Sequence, residues 1–252
     1  MGLRQACART ASVALGSALM ALAPAPALGA SGVGIDVSRF QGSIDWTRVG
    51  ETRVEFAFLQ ASRGSGQDCA VAPDRCGADE FYERNHRLAT QVGIRVGAYH
   101  RAFAGGRGRK SARRDARAEA DVFIARVGSL REGDLRPALD LESPFGRLNA
   151  RRLRVWVRTW LKRVRNELGS KPIIYTNVAS WRATGDTTKF ARTGHPLWVA
   201  NWGVSSPAVP ADNWNGQGWS IWQYTSSGRV KGIAGRVDKN RLGVGFDRIS
   251  VG

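Results

Sequence analysis

The run Pro137-Ala138-Leu139-Asp140-Leu141-Glu142 sets two carboxylates two residues apart at the end of a short apolar segment. Side chains alternate between the faces of a strand, so Asp140 and Glu142 point the same way while Leu141 points into packing. Two acids side by side repel when both are ionised, and the repulsion raises the pKa of one of them. A fold normally avoids that cost on an apolar strand. Where it is accepted, a general acid beside a stabilising carboxylate is the natural chemistry. The spacing alone does not say which of the two holds the proton.

The elements that would hold this pair alternate in type along the chain. Apolar β-like runs occur at Val33–Val37, Phe56–Gln60, Ile94–Tyr99, Pro137–Glu142, Pro172–Thr176, Leu197–Asn201 and Trp219–Tyr224, with helical patterns between most of the early ones. That order predicts βαβ units and a parallel sheet covered on both faces. The clearest helix spans Asn149 to Leu168, with Leu153, Trp156, Val157, Trp160, Leu161, Val164 and Leu168 on one face. Asn149 can cap its start, and Gly169 with Pro172 ends it. Its other face is rich in arginine and reads as solvated. No linker, low-complexity tract or repeat interrupts residues 31–252, so these form one domain. Seven or eight β-segments that begin βα and end mostly β predict an α/β fold, a modified TIM-like barrel with fewer helices than a full eightfold one.

In such barrels the chemistry sits at the C-terminal ends of the strands, so further acids should appear there. Asp36 ends the first strand candidate, and Asp238 opens the final segment. With Asp140 and Glu142 they make four carboxylates from three parts of the chain. Aromatic residues fall at neighbouring ends: Tyr99, Tyr175, Trp198, Trp202, Trp222 and Tyr224. Aromatic faces beside carboxylates are how proteins hold sugar rings, by stacking and by hydrogen bonds to hydroxyls.

Residues 1–30 carry Arg4 and Arg9, an apolar run from Ala11 to Ala23, and then small residues, which reads as a secretory leader. The run is too short for a membrane span, and no later segment is long enough. An exported protein allows one local disulfide between Cys69 and Cys76 in a Gly/Asp/Pro loop. Two thiols seven apart without a nearby histidine make a poor metal site. His86, His100 and His195 show neither metal-ligand spacing nor a partner nucleophile, so no metal or cofactor is expected. The formal charge of +17 implies a polyanionic partner. For an exported chain that is an anionic cell-wall surface rather than nucleic acid. The basic stretch Arg107-Gly108-Arg109-Lys110 with Arg113, Arg114 and Arg117 lacks the interleaved aromatics of a nucleic-acid site and reads as a solvated loop. A monomer is expected.

The sequence also carries a family resemblance. Gly34-Ile35-Asp36-Val37-Ser38 with Gln41-Gly42 and Ile44-Asp45-Trp46 resembles the opening of the glycoside hydrolase family 25 lysozymes, the Chalaropsis-type N-acetylmuramidases. Gly97-Ala98-Tyr99-His100, Asp140-Leu141-Glu142, Pro172-Ile173-Ile174-Tyr175-Thr176, Leu197-Trp198-Val199-Ala200-Asn201-Trp202, Trp222-Gln223-Tyr224 and Val237-Asp238-Lys239-Asn240 continue it in the family's order. The resemblance implies cleavage of the β-1,4 bond between N-acetylmuramic acid and N-acetylglucosamine in peptidoglycan glycan strands. It implies Glu142 as general acid and Asp140 as the carboxylate stabilising an oxazolinium-like intermediate. Asp36 and Asp238 would orient substrate and water, and Tyr99, Tyr175, Asn201, Trp202 and Trp222 would contact sugar. Two positions depart from the pattern. Gln60-Ala61-Ser62-Arg63-Gly64 replaces a common Lys-Ala-Thr-Glu-Gly, and Arg101 stands where an aromatic is usual. Both add positive charge near the expected cleft, which would suit a more anionic glycan. Those changes keep a non-catalytic glycan-binding relative as the alternative, and charge alone suggests an exported nucleic-acid-binding protein.

Overall fold

The computed structural model describes residues 1–2, 32–65 and 77–252. Residues 3–31, which include nearly all of the expected leader, and the expected Cys69–Cys76 pair lie outside the described residues.

Among the described residues nine strands occur in chain order: β1 (Val33–Val37), β2 (Val54–Arg63), β3 (Gly77–Ala78), β4 (Arg95–Arg101), β5 (Ala138–Asp140), β6 (Ile173–Thr176), β7 (Leu197–Ala200), β8 (Ile221–Gly228) and β9 (Val237–Leu242). Eight of them form a ring in the order β1, β2, β4, β5, β6, β7, β8, β9, closed by pairing of β1 with both β2 and β9. All neighbours are parallel except β9, which runs antiparallel to β8 and β1. The short β3 pairs with the end of β2 outside the ring. Among the described residues six right-handed helices accompany the barrel: α1 (Trp46–Gly50), α2 (Tyr82–Gln91), α3 (Arg109–Val127), α4 (Ala150–Leu168), α5 (Val178–Arg182) and α6 (Lys189–Arg192), while Pro210–Asn215 coils with positive φ at Ala211 to Trp214. Only α2, α3 and α4 exceed two turns, so the last third closes mostly with strands. This is the mixed eight-stranded barrel with few helices that the sequence order predicts.

The helix expected at Asn149–Leu168 is α4. Its buried stripe is Leu153, Trp156, Val157, Trp160, Leu161 and Val164, and the Arg152 backbone N–H donates to Asn149 Oδ1 at 3.0 Å. Gly169 ends it in the left-handed conformation at φ 69°. The basic stretch expected as a loop is instead largely the start of α3. Ala112, Ala116, Glu119, Ala120 and Phe123 recur every three or four residues and are buried, while Arg109, Lys110, Arg113, Arg114 and Arg117 face outward. Small alanines make a weak hydrophobic signal, and the arginines between them hid the helical period. No helix among the described residues is long and apolar enough to cross a membrane.

Strand alternation divides the core in two. Phe56, Phe58, Ala138, Ile173, Tyr175, Trp198, Ile221 and Leu242 fill the barrel. Residues of opposite parity, such as Ala57, Leu59, Leu139, Ile174, Val199 and Trp222, pack outward with the helices. Gly34 and Gly97 are inward positions where aromatic rings approach the backbone. A Cβ at Gly34 would overlap the Phe56 ring, and one at Gly97 would lie 2.6 Å from Phe58. Gly34→Ala is therefore expected to destabilise the fold by about 1–3 kcal/mol through overpacking. A denaturant midpoint equal to that of the parent would contradict this packing.

Candidate active site

The inward parity that places phenylalanines low in the barrel brings polar residues to its upper rim. Asp36, Gln60, Tyr99, Arg101, Asp140, Tyr175, Gln223 and Asp238 line one cleft of about 260 Å³, with Glu142 just beyond the end of β5. Seven ring strands finish at this rim. The antiparallel β9 starts there, which is how Asp238 reaches the acids at the strand ends.

Register makes the first acid pair. Asp36 of β1 stands directly opposite Asp238 of β9. The two carboxyls lie within hydrogen-bonding reach, an arrangement that favours one proton held between them. Burial pushes Asp36 well above the usual carboxylate range, with the nearby Asp238 charge adding to it. Asn240 Nδ2 donates to Asp36 Oδ2 at 2.8 Å, and Gln223 Nε2 lies 3.0 and 3.2 Å from its two oxygens. These donors favour the ionised form but do not outweigh burial. Asp238 is also raised by burial, while the bond from Asp36 pulls it back.

The second pair is Asp140 and Glu142, joined by one guanidinium. Arg101 is the register partner of Asp140. Its Nη1 lies 3.4 Å from Asp140 Oδ1, and its Nη2 lies 3.5 Å from Glu142 Oε2. At these lengths the contacts are charge pairing rather than short hydrogen bonds. Asp140 is 9% exposed, and burial pushes its pKa up to about 8 even though Arg101 pulls it down. The Tyr175 hydroxyl sits between Glu142 and Gln223, donating to Gln223 Oε1 at 2.9 Å. Gln223 Oε1 also accepts from Trp202 Nε1 at 2.9 Å, so one amide links Asp36, Tyr175 and Trp202. Gln60 is buried on the cleft wall, and its Oε1 has no hydrogen-bond partner among the described residues.

Of the expected site residues, the four acids, Tyr99, Tyr175 and Trp202 meet in this cleft, with Trp202 half exposed. Two others do not reach it. Gln223 faces inward, so its neighbour Trp222 faces the outer layer, where it is 4% exposed and donates to Asn201 O at 2.8 Å. The Asn201 carboxamide oxygen accepts from the Ala208 backbone N–H at 2.8 Å and holds its own loop. Gln223 and Asn240 carry no expected role from the sequence, and Gln60 and Arg101 stand out there only as departures, yet all four belong to this site or donate into it. Counting in twos from Asp238 reaches Asn240, and from Ile221 reaches Gln223, once the strand parity is known.

His100 does have a hydroxyl partner, contrary to the sequence expectation. Ser62 Oγ lies 2.8 Å from its Nδ1 and Glu119 Oε2 lies 2.8 Å from its Nε2. All three are fully buried, so no substrate can meet them. Burial holds the imidazole neutral down to about 3, which makes the Glu119 contact a hydrogen bond rather than an ion pair. The Phe103 backbone N–H donates to the same carboxylate at 3.1 Å, so the network ties α3 to β4 and its following loop.

A family model described as Glycosyl hydrolases family 25 matches residues 35–233. The chain belongs to glycosyl hydrolase family 25. Among curated proteins it is 33% identical to Lysozyme M1 of Streptomyces globisporus over 220 residues, covering 84% of this chain and 68% of that one. It is 28% identical to the N,O-diacetylmuramidase of a Chalaropsis species over 221 residues, covering 81% of this chain and 95% of the relative. Among solved structures, a bacterial lysozyme from Streptomyces coelicolor superposes with a TM-score of 0.74 at 31% identity, covering 87% of this chain and 95% of the other. The protein is therefore a glycoside hydrolase.

This family 25 hydrolase has a cationic rim at the two departing positions. The Arg63 guanidinium lies 5.3 Å from the Phe103 ring centre and 5.9 Å from that of the exposed Phe40. Arg101 lies 5.6 Å from the same Phe103 ring. Phe103 is thus clasped by two cations, an arrangement that holds both guanidinium groups near the acids. Arg63 contributes to drawing the Asp140 pKa down, after Arg101.

Proposed function

We propose that this hydrolase is an exported muramidase that cleaves the β-1,4 bond between N-acetylmuramic acid and N-acetylglucosamine in peptidoglycan. The observation carrying this reading is the placement of Asp140 and Glu142 on one guanidinium, facing the Asp36–Asp238 pair across a cleft edged by Tyr99, Tyr175 and Trp202. The leader-like residues 1–30 support export.

In the reaction, Glu142 gives its proton to the leaving glycosidic oxygen as the bond to the anomeric carbon breaks. The substrate's own acetamido oxygen bonds to that carbon, and Asp140 stabilises the cationic oxazolinium that forms. Water then attacks the anomeric carbon, the acetamido oxygen leaves, and Glu142 recovers a proton from the water. Asp36 and Asp238, holding one proton between them, orient water and sugar hydroxyls. The buried Gln60 Oε1 supplies an acceptor for a sugar donor.

Burial favours the proton on Asp140, whereas the chemistry needs Asp140 ionised. The positive charge developing on the acetamido group beside Asp140 favours its ionised form as the glycosidic bond breaks. Arg101 helps by stabilising the ionised Asp140. Its removal is therefore expected to move the acid limb of the pH profile of kcat/KM upward. Arg101→Gln, assayed across pH 4–9, tests this, and a limb that stays in place or moves down contradicts the role. The bond itself is tested by mass analysis of fragments from purified peptidoglycan. New reducing ends on muramic acid support the assignment, and reducing ends on glucosamine overturn it.

A further inference from the structure

The barrel end opposite the catalytic cleft carries a second concave surface. Its wall includes His195, whose Nδ1 lies 2.8 Å from Pro172 O. His195 lies two residues before β7 and Pro172 immediately before β6, so this groove lies at the N-terminal ends of strands in the barrel whose opposite rim bears the acids. Its volume is about 580 Å³, and its floor is apolar, with buried Leu161 and Phe190.

Five cations line it. Arg158, Lys162 and Arg165 follow one stripe of α4 at spacings of four and three, and Lys189 and Arg192 are three apart on α6. All five are exposed, none makes an ion pair among the described residues, and no acid lines the groove. The contrast within α4 is direct. Arg163, on another face, is paired with Asp121 at 2.7 Å and Glu167 at 2.5 Å. The positive field extends to Lys171 beside the groove, whose pKa is lowered by burial and then by Arg165 and Arg136.

We infer that this groove is a docking site for a linear polyanion, a phosphate-bearing polymer of the cell wall. A small anion would compensate one or two of the cations and leave the rest facing one another. A flexible chain with regularly spaced negative charges satisfies both rows, and its carbon backbone lies along the apolar floor. Nucleic acid fits less well, because both rings that line the groove, Phe190 and His195, are buried and offer no face for base stacking. The assignment to a wall polymer rests on the muramidase reading, whereas polyanion binding does not. With anchor and cleft at opposite ends, the enzyme can hold one polymer while cutting another.

The test uses the whole chain and fluorescent long-chain inorganic polyphosphate, with monomeric phosphate as control. In Arg158→Gln/Lys162→Gln/Lys189→Gln/Arg192→Gln, polyphosphate affinity at low salt is expected to fall at least about tenfold. The dependence of log affinity on log salt should flatten by roughly three, one counterion for most charges removed. Lys189→Gln alone should show a smaller change in the same direction, which keeps the test valid if the fourfold variant folds poorly. Binding to intact walls should fall as well, while walls stripped of phosphate polymers by acid should bind parent and variant alike. Turnover of a small soluble glycan fragment should be unchanged, and its absence in both proteins would count against the muramidase reading alone. Undiminished polyphosphate binding, or loss only on replacing Arg109, Lys110, Arg113 and Arg117 of α3, would overturn the proposal. Groove-dependent binding that is tighter for DNA than for wall polymer would also overturn it.

Discussion

Glu142→Gln is expected to abolish clearing of a cell-wall suspension, with turnover falling about 10²–10⁴-fold. Glutamine keeps the shape and polarity of the side chain but cannot release a proton to a leaving oxygen. The change should spare the fold, since Glu142 lies beyond the end of β5 with 29% of its side chain exposed. Arg101 would still have Asp140 as a partner. Thermal stability within about 0.5 kcal/mol of the parent should therefore accompany the loss of activity. Clearing at the parental rate would remove Glu142 from the chemistry and leave a cleft that binds glycan without cutting it through this acid.

Asp140→Asn is expected to lower turnover by about 10²–10³-fold, the scale for losing one preorganised electrostatic contact to a developing charge. It should also change how stability depends on pH. In the folded protein the Asp140 pKa is about 8, above its unfolded value. Between those two values the folded state binds more protons than the unfolded state, so stability from this group is present at low pH and declines as pH rises. Asparagine removes that decline without changing the side-chain volume. Unfolding by denaturant at pH 5 and at pH 8 should thus show the variant gaining on the parent as pH rises. Parallel curves would mean that burial does not raise Asp140 in this fold. Together the two substitutions separate the proton donor from the charge stabiliser, because only the second removes the titrating Asp140 carboxyl itself.

Much of this site could be read from residue type and order. Asp140 and Glu142 were visible because acids two apart on an apolar strand are unusual, and Asp36 because it ends a clear one. Asp238 was visible as an acid, but its route to the rim depends on β9 running antiparallel, which local patterning does not encode. Trp222 shows the limit from the other side. Aromatics occupy both faces of these strands, so residue type alone could not separate the inward Gln223 from the outward Trp222. Arg101 was noticed as a departure, yet its hold on both acids follows from the β4–β5 register, a contact across 39 residues. Ser62, His100 and Glu119 were missed for the same reason, since strand pairing and the placement of α3 bring them together.

The closure of the ring by β1 and β9 also bears on when this protein becomes an enzyme. Residues 33–36 pair with residues 238–241, and the donors to Asp36 come from Gln223 and Asn240. The seam thus joins segments about 204 residues apart in the chain. A chain emerging from the ribosome can form the helical hairpins of its middle early, but not this seam. Such distant pairing is slow to form and comes late in folding. Until it forms, Asp36 has neither its partner carboxyl nor its donors, and the cleft lacks one wall. A chain that still lacks β9 is therefore expected to show no turnover, which would separate synthesis of the hydrolase from its action.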